Sequence, residues 1–401
     1  MRSIAVLKNT IQPYSWGSCS AIPELLGEAP PYQHPCAELW MGAHPKAPSL
    51  LQEEKCWKPL SHVIRDDPES ILGRGAMEKF KSQLPFLFKI LAAAKPLSLQ
   101  VHPNHLQARE GFVRENHLGI PLDAPQRNYK DNNHKPECLC ALSDFYALSG
   151  FRPAGEILAF GEMLSRTRLK QLLDYLHDHR DKEGVRWFFS ELMRLEEKLQ
   201  AVIIAEVVES ARSLCSESAV FRWILRLYEE YPQDIGIISP FFMNLICLKP
   251  GEALFLPAGQ LHTYLEGVGI EVMANSDNVL RAGLTHKHID IPELLRIVVC
   301  EEGTSILSPR LVSDCEAIYS APADEFVLSV ITVNKKKIHA SAHRHSVEIL
   351  VCTDGCGTIT DQENHERLSI GKGMALLIPA SVSCYSIEGD AVIYKAAVPG
   401  A

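Results

Sequence analysis

The sequence contains no C-x-x-C pair among its twelve cysteines, no long apolar run and no basic excess. Each absence excludes a class. Without C-x-x-C spacing there is no thioredoxin-type or zinc-ribbon signature, and a chain of 401 residues needs no disulfide staple. The cysteines therefore read as reduced, mostly buried thiols, and a cytoplasmic setting is expected. No run approaches the roughly 18 apolar residues of a membrane helix. The opening MRSIAVLKNTIQPYSWG is broken at Lys8 and Asn9, which is not a signal-peptide pattern. A net charge of −9 argues against a nucleic-acid face. No G-x-G-x-x-G follows a strand, and no G-x4-G-K-[ST] loop is present, so no nucleotide or redox cofactor is signalled. The expectation is a monomer acting on a small molecule, with no nucleic acid and no membrane as partner.

Hydrophobic residues make up 46% and charged residues 22%, a globular balance that permits more than one core. Residues 1–153 and 234–320 carry short apolar runs cut by Gly, Pro and Asn. LPFLFKIL (84–91), PLSLQVH (96–102) and NLICLKPGEALFLPAG (244–259) read as strands. Residues 154–233 differ. Leu169, Leu172, Leu173 and Leu176 make one helical face, as do Phe221, Ile224, Leu225 and Tyr228. Phe188, Leu192, Leu195 and Leu199 are spaced likewise. Ser216 or Ser218 can cap the last helix, and Pro232 stops it. A further short helix is expected from Asp67, with Pro68 at its first position. The tail, 321–401, returns to strands, with turn signals at Asp354-Gly355 and Gly389-Asp390. The predicted fold is mainly β with an α-helical insertion.

One stretch carries chemistry. Gly251 to His262 follows G-x5-P-x-G-x2-H: a strand, a tight turn at Pro257 and Gly259, and a return strand that aims His262 inward. That pattern resembles the second motif of the cupins, small β-barrels with a metal in the mouth. In PLSLQVHPNH, Gln100 and His102 are two apart on a strand and share one face. Glu137, in DNNHKPE, is the carboxylate candidate. An amide oxygen, two imidazoles and a carboxylate suit zinc.

Taken together, several segments go beyond a generic cupin. QPYSWGS (12–18), AELWMGAHPKAPS (37–49), LSLQVHPNH (97–105), YKDNNHKPE (129–137), PAGQLHTYLEG (257–267) and EVMANSDNVLRAGLTHKHID (271–290) stand in order. The chain resembles the type I phosphomannose isomerases. That resemblance implies two cupin-type jelly-roll barrels plus a helical domain. Residues 1–153 and 234–320 would be the catalytic unit, 154–233 the helical insertion and 321–401 a metal-free second barrel. It implies one zinc per chain on Gln100, His102, Glu137 and His262. It also implies interconversion of mannose 6-phosphate and fructose 6-phosphate through an enediol, with GDP-mannose supply as one setting.

The resemblance makes Arg281 the active-site arginine, whose planar fork suits a phosphate or an oxyanion. Lys135, two residues from Glu137, could hold phosphate or move a proton. Tyr264, two past His262, should face the same cavity. Glu271 and Asp277 could each be a base or could orient Arg281; Glu271, Lys135 and a zinc-bound water stay open as the base. Lys89, Ser98, Glu38 and His134 are candidates for the substrate's phosphate, with Glu38 also a partner for Lys89. His105 could contact substrate or a carboxylate, and His44 is expected to be structural. In the tail, His343, His345, Glu348 and Cys384 echo a second ligand set, expected to be empty. The alternatives are a sugar-binding cupin without activity, a glucose 6-phosphate isomerase and a metal-dependent dioxygenase. The intact ligand positions, Lys135 and Arg281 argue against the first, and the Gln ligand against the last.

Overall fold

The computed structural model describes residues 3–53, 56–164, 168–343 and 345–400. Among these residues the chain is mainly β, with two antiparallel sheets of eleven strands each. Most of the apolar runs become strands. Phe86–Ala93 is buried throughout, between Glu38–Gly42 on one side and His262–Ala274 on the other. Burial on both faces explains why it reads as a continuous run rather than an alternation. Leu99–Val101, Met243–Leu248 and Ala253–Leu256 follow in the same sheet.

Between residues 154 and 230 the described residues form the helices Ala154–Met163, Lys170–Asp178, Lys182–Arg194, Glu197–Leu214 and Ala219–Glu230. Their apolar faces share one core with Leu99, Val101, Leu148, Leu280 and Ala282 of the sheet. Alternation along a strand then turns the residues between, Gln100 and Arg281, to the opposite face. Ser218 caps the last helix through the Val220 amide, and the helix ends before Pro232. The short helix Pro68–Leu72 starts as expected, capped by Asp67.

Several expectations need correction. Phe188 and Leu192 are buried, but their helix stops at Arg194. Leu195 turns extended, so Leu199 belongs to the next helix, Glu197–Leu214, and lies exposed. No apolar pattern announces the helix His105–His117. It buries little beyond Ala108, Gly111 and Glu115, and it is fixed by a reciprocal cap between Asn104 and Gln107. Asp354-Gly355 and Gly389-Asp390 are not chain reversals. Both lie inside long strands, Glu348–Asp361 and Tyr385–Ala397, which pair along their whole length. Gly355 takes φ 73° beside a register shift between Cys352 and Asp354, so glycine bends a strand there instead of ending it.

The expected division along the chain also differs from the pairing. Ala5–Lys8 pairs with Ala375–Ile378, and Leu50–Glu53 extends that sheet. Glu316–Tyr319 pairs with Val327–Val333, across residue 320. The first residues thus close the tail's sheet. Leu39, Phe88 and Ile90 of one sheet meet Tyr319, Ile349 and Leu377 of the other in one core.

His262–Ala274 decides the geometry of the site. Its first half pairs with Phe145–Phe151 and touches Leu99–Val101; its second half pairs with Phe86–Ala93 and Glu137–Ala141. The switch falls at a register shift between Tyr264 and Glu266, followed by Gly267 at φ 136°. A Cβ on Gly267 would lie 2.7 Å from the Phe145 ring and 2.8 Å from the Asp144 carbonyl. Gly267→Ala is expected to destabilise the protein by about 1–3 kcal/mol, read as a lower urea midpoint. An unchanged midpoint would show that the bend does not need glycine.

Candidate metal centre

Three short strands set one row of side chains. Gln100 lies opposite Arg281 on one neighbour and opposite His262 on the other. Directly opposed residues share a face, so Arg281, Gln100 and His262 point into one cavity. His102 follows Gln100 by two residues. From the adjoining layer, Glu137 stands opposite Met273 and Leu256. His102, Glu137 and His262 are all buried, and their ligand atoms lie within 4.8 Å of one another.

Backbone carbonyls hold both imidazoles. His102 Nδ1 is 2.8 Å from the Asn278 carbonyl, and His262 Nδ1 is 2.9 Å from that of Gln260. A carbonyl only accepts, so each Nδ1 carries the proton and each Nε2 presents a lone pair. His102 Nε2 is 3.3 Å from Glu137 Oε1, and His262 Nε2 is 3.4 Å from Glu137 Oε2. Yet His102 Nε2 and Glu137 Oε2 are buried and have no hydrogen-bond partner. Orphaned lone pairs that converge in a dry pocket are costly unless a cation satisfies them. Burial, then the Lys135 ammonium, push the His102 imidazole down to about 4, which keeps it neutral. Burial acts against ionisation of Glu137, but the Lys135 ammonium holds its carboxyl well below the usual range. The set is therefore two imidazoles and a carboxylate, the donor set zinc prefers. The Gln100 amide nitrogen lies 3.4 Å from His262 Nε2. Turning that amide end for end, an assignment hydrogen-bond networks decide, presents its oxygen as a fourth ligand.

Around this core the other candidates separate. Lys135 Nζ is 3.1 Å from Glu137 Oε1, on the cavity face. Arg281 is partly buried and has no ion-pair partner among the described residues; burial alone pushes its guanidinium down. Lys89 is not free for a phosphate: Nζ is 2.8 Å from Glu271 and 3.5 Å from Glu38. Burial opposes its charge, but the two carboxylates more than offset this and raise it. Glu38 also accepts from the Trp40 indole at 2.6 Å, so it serves Lys89 and Trp40. Tyr264 donates to Glu271 at 2.8 Å. Both Glu271 oxygens are thus engaged, and burial pushes this carboxyl up.

Neither acid orients Arg281, against one expectation. Asp277 pairs with Lys46 at 2.8 Å and His44 at 3.6 Å. Burial works the other way, but those two partners hold Asp277 well below the carboxylate range. His134 is taken by Glu325 at 2.8 Å. Ser98 is partly buried near the row. In the tail, His343 is exposed and the set His343, His345, Glu348, Cys384 is not gathered within ligand distance among the described residues. Arg344, inside that motif, lies outside the described residues.

Sequence reading misses two residues, Asn278 and Lys287, and a second role of the turn's Gly259. Asn278 is fully buried, and its side chain bonds Lys130 N at 2.7 Å, Asp131 O at 2.9 Å and Asn133 O at 2.9 Å. One residue thereby fixes the loop leading to Lys135 and, through its carbonyl, His102. Gly259, at φ 83°, donates its amide to the His102 carbonyl at 2.8 Å. Lys287 is exposed; partial desolvation, then Arg281, Lys130 and Lys46, push its ammonium down. The S-D-N run at 276–278 is a signal for Asn278, since such side chains bond loop backbone; nothing in the sequence marks Lys287.

An antiparallel β layer with a buried His–Glu–His set that could hold one metal ion, and beside it an arginine with no ion-pair partner among the described residues, defines a candidate metal-binding protein. Residues 4–154 match the family described as "Phosphomannose isomerase type I, catalytic domain". The mannose-6-phosphate isomerase of Escherichia coli (strain K12) is 39% identical, covering 96% of each chain. The Homo sapiens mannose-6-phosphate isomerase is 34% identical, covering 97% of each. A structure of the Salmonella typhimurium enzyme, bound to substrate and a zinc atom, superposes with a TM-score of 0.91 at 37% identity, covering 99% of each chain. The chain belongs to the type I phosphomannose isomerase (mannose-6-phosphate isomerase) family.

The Asn278 clamp gives a test. Asn278→Ala keeps the carbonyl that holds His102 but frees the 130–133 loop. Zinc affinity is expected to fall about 10–100-fold, measured by competition with a chelator. Unchanged affinity would show that the loop holds itself.

Proposed function

We propose that this chain interconverts D-mannose 6-phosphate and D-fructose 6-phosphate, with one zinc ion per chain on Gln100, His102, Glu137 and His262. The observation that carries the reading is the pair of buried, unpartnered acceptors, His102 Nε2 and Glu137 Oε2, on the cavity face that also holds an unpaired Arg281. The family and the ligands named for the Salmonella structure support it. We read the two sheets as two cupin-type jelly-roll barrels, with 154–233 as a helical domain inserted in the first.

The reaction moves one carbon-bound proton. A base takes the proton from carbon 2 of the aldose while oxygen 1 gains one, giving the enediol. Carbon 1 then receives a proton while oxygen 2 loses its own, giving the ketose. Zinc supplies positive charge that polarises the sugar oxygens. Arg281 meets the developing oxyanion with a preorganised cation. Glu271 is held by Lys89 and Tyr264, and Asp277 by Lys46 and His44; Lys135, whose own partner Glu137 would turn to the metal, is the protein group we assign to pass the proton. Lys287, near Lys130 and Arg281, gives the phosphate a cationic berth in place of Lys89.

In a coupled assay, chelator-stripped protein should lose conversion of mannose 6-phosphate and regain it with zinc. Full turnover of metal-free protein would overturn the reading. Arg281→Ala should retain zinc and lose turnover about 10²–10³-fold; normal turnover would remove Arg281 from the chemistry. Lys287→Ala should raise KM with zinc content unchanged, and an unaltered KM would move the phosphate elsewhere.

A further inference from the structure

Arg281 and Lys287 bracket a loop outside any strand or helix. The strand Leu280–Gly283 ends in a register shift between Arg281 and Gly283. Leu284 then takes φ 53°, a left-handed conformation that a leucine disfavours. Its side chain is buried in the core shared with the helices. Beyond Leu284 the loop borders a cavity of about 300 Å³, lined by Thr285, His286, Ile289, Met193 and Tyr231 among others. Packing alone therefore does not fix the stretch that carries Lys287.

Hydrogen bonds do, and they begin at Asp234. This residue follows the last helix of the insertion and caps the short turn Ile235–Ile238. Its Oδ1 accepts from the Gly236 amide at 2.7 Å, and its Oδ2 from the Thr285 amide at 3.0 Å. Thr285 Oγ1 accepts in turn from the Lys287 amide at 3.1 Å. The carboxylate sits between two glycines. A Cβ would lie 2.8 Å from Oδ1 if added to Gly236, and 2.9 Å if added to Gly283. Two linked bonds thus run from Asp234 to the backbone of Lys287. Arg281 is placed separately, by its pairing with Gln100.

We propose that Asp234 is a positioning residue for the isomerisation, which clamps the loop after Arg281 and so sets where Lys287 meets the substrate's phosphate. The clamp acts on substrate binding, because the metal ligands and Arg281 are held by other contacts. The inference rests on the reading of Lys287 as a phosphate ligand.

Asp234→Ala removes both acceptors. KM for mannose 6-phosphate is expected to rise about 3–10-fold, the scale of a lost hydrogen bond, with kcat and zinc content unchanged. Thr285→Val keeps the amide but loses the hydroxyl, and should raise KM likewise. In a Lys287→Ala background neither substitution should raise KM further, because the group they position is gone. Effects that multiply in that background would overturn the proposal. So would an unaltered KM in Asp234→Ala while Lys287→Ala raises it. An unaltered KM in Lys287→Ala itself would fell the phosphate reading, and the proposal with it. Hydrogen exchange in the zinc-loaded chain reads the clamp without substrate. The Thr285 and Lys287 amides should exchange faster in Asp234→Ala, and equal rates would sink the proposal whatever the kinetics.

Discussion

Charge inside the metal-bearing layer must close, and the site follows from that constraint. Glu38, Glu137 and Glu271 are buried there, and so are Lys89 and Lys135. With His102 neutral, three carboxylates face two ammoniums, and one negative charge is left over. A buried unpaired charge costs several kcal/mol. Lys89, Trp40 and Tyr264 serve Glu38 and Glu271, whereas Lys135 reaches only Oε1 of Glu137, so the unsatisfied acceptor capacity among the described residues falls on Glu137 Oε2. That carboxylate has one unpartnered oxygen and lies beside the two imidazoles. A dication there reverses the local sign and favours an anionic substrate. The net charge of −9 over the whole chain is irrelevant at this distance, because exposed charges are screened within about a Debye length.

Strand alternation explains how so polar a layer can be built inside a mainly apolar fold. Leu99, Val101, Leu280 and Ala282 pack on the helices. The residues between them face the cavity. The helical insertion therefore acts as the apolar backing that lets Gln100 and Arg281 stand on the other face. The bent strand His262–Ala274 then brings Tyr264 over Glu271, seven residues later in the same strand, with the hydroxyl 2.8 Å from the carboxylate. A straight strand would separate these side chains by more than about 20 Å.

Local periodicity makes the ligands legible. The i, i+2 spacing of Gln100 and His102, and the G-x5-P-x-G-x2-H turn, are backbone-level signals that survive in one sequence. The helix at His105 is not legible, because its apolar content is small and a cap holds it instead. Nor is the role of the tail's Glu325, which depends on contact with His134, far away in the chain. Lys89 is only partly legible, for a related reason. A lysine in an apolar run signals a buried partner, and Glu38 is expected as one, but the nearer partner, Glu271, is set by the register of the strands. The closure of the tail's sheet by Ala5–Lys8 is likewise a long-range pairing that no local pattern announces.

The tail repeats the charge-closing device without the metal set. Lys395 lies 2.8 Å from Glu316 and 3.3 Å from Glu348, and Tyr385 donates to Glu348 at 2.6 Å. Lys89, Glu38, Glu271 and Tyr264 make the same arrangement in the first sheet. In the tail both oxygens of Glu348 are thereby engaged, so no carboxylate oxygen of that residue is left to a cation. The difference between the two centres is thus not the presence of buried charge. In the first sheet a further carboxylate, Glu137, stands between two imidazoles whose Nδ1 protons are already committed to carbonyls. What separates a metal centre from a packed ion cluster is that surplus acceptor capacity, held rigid and kept dry.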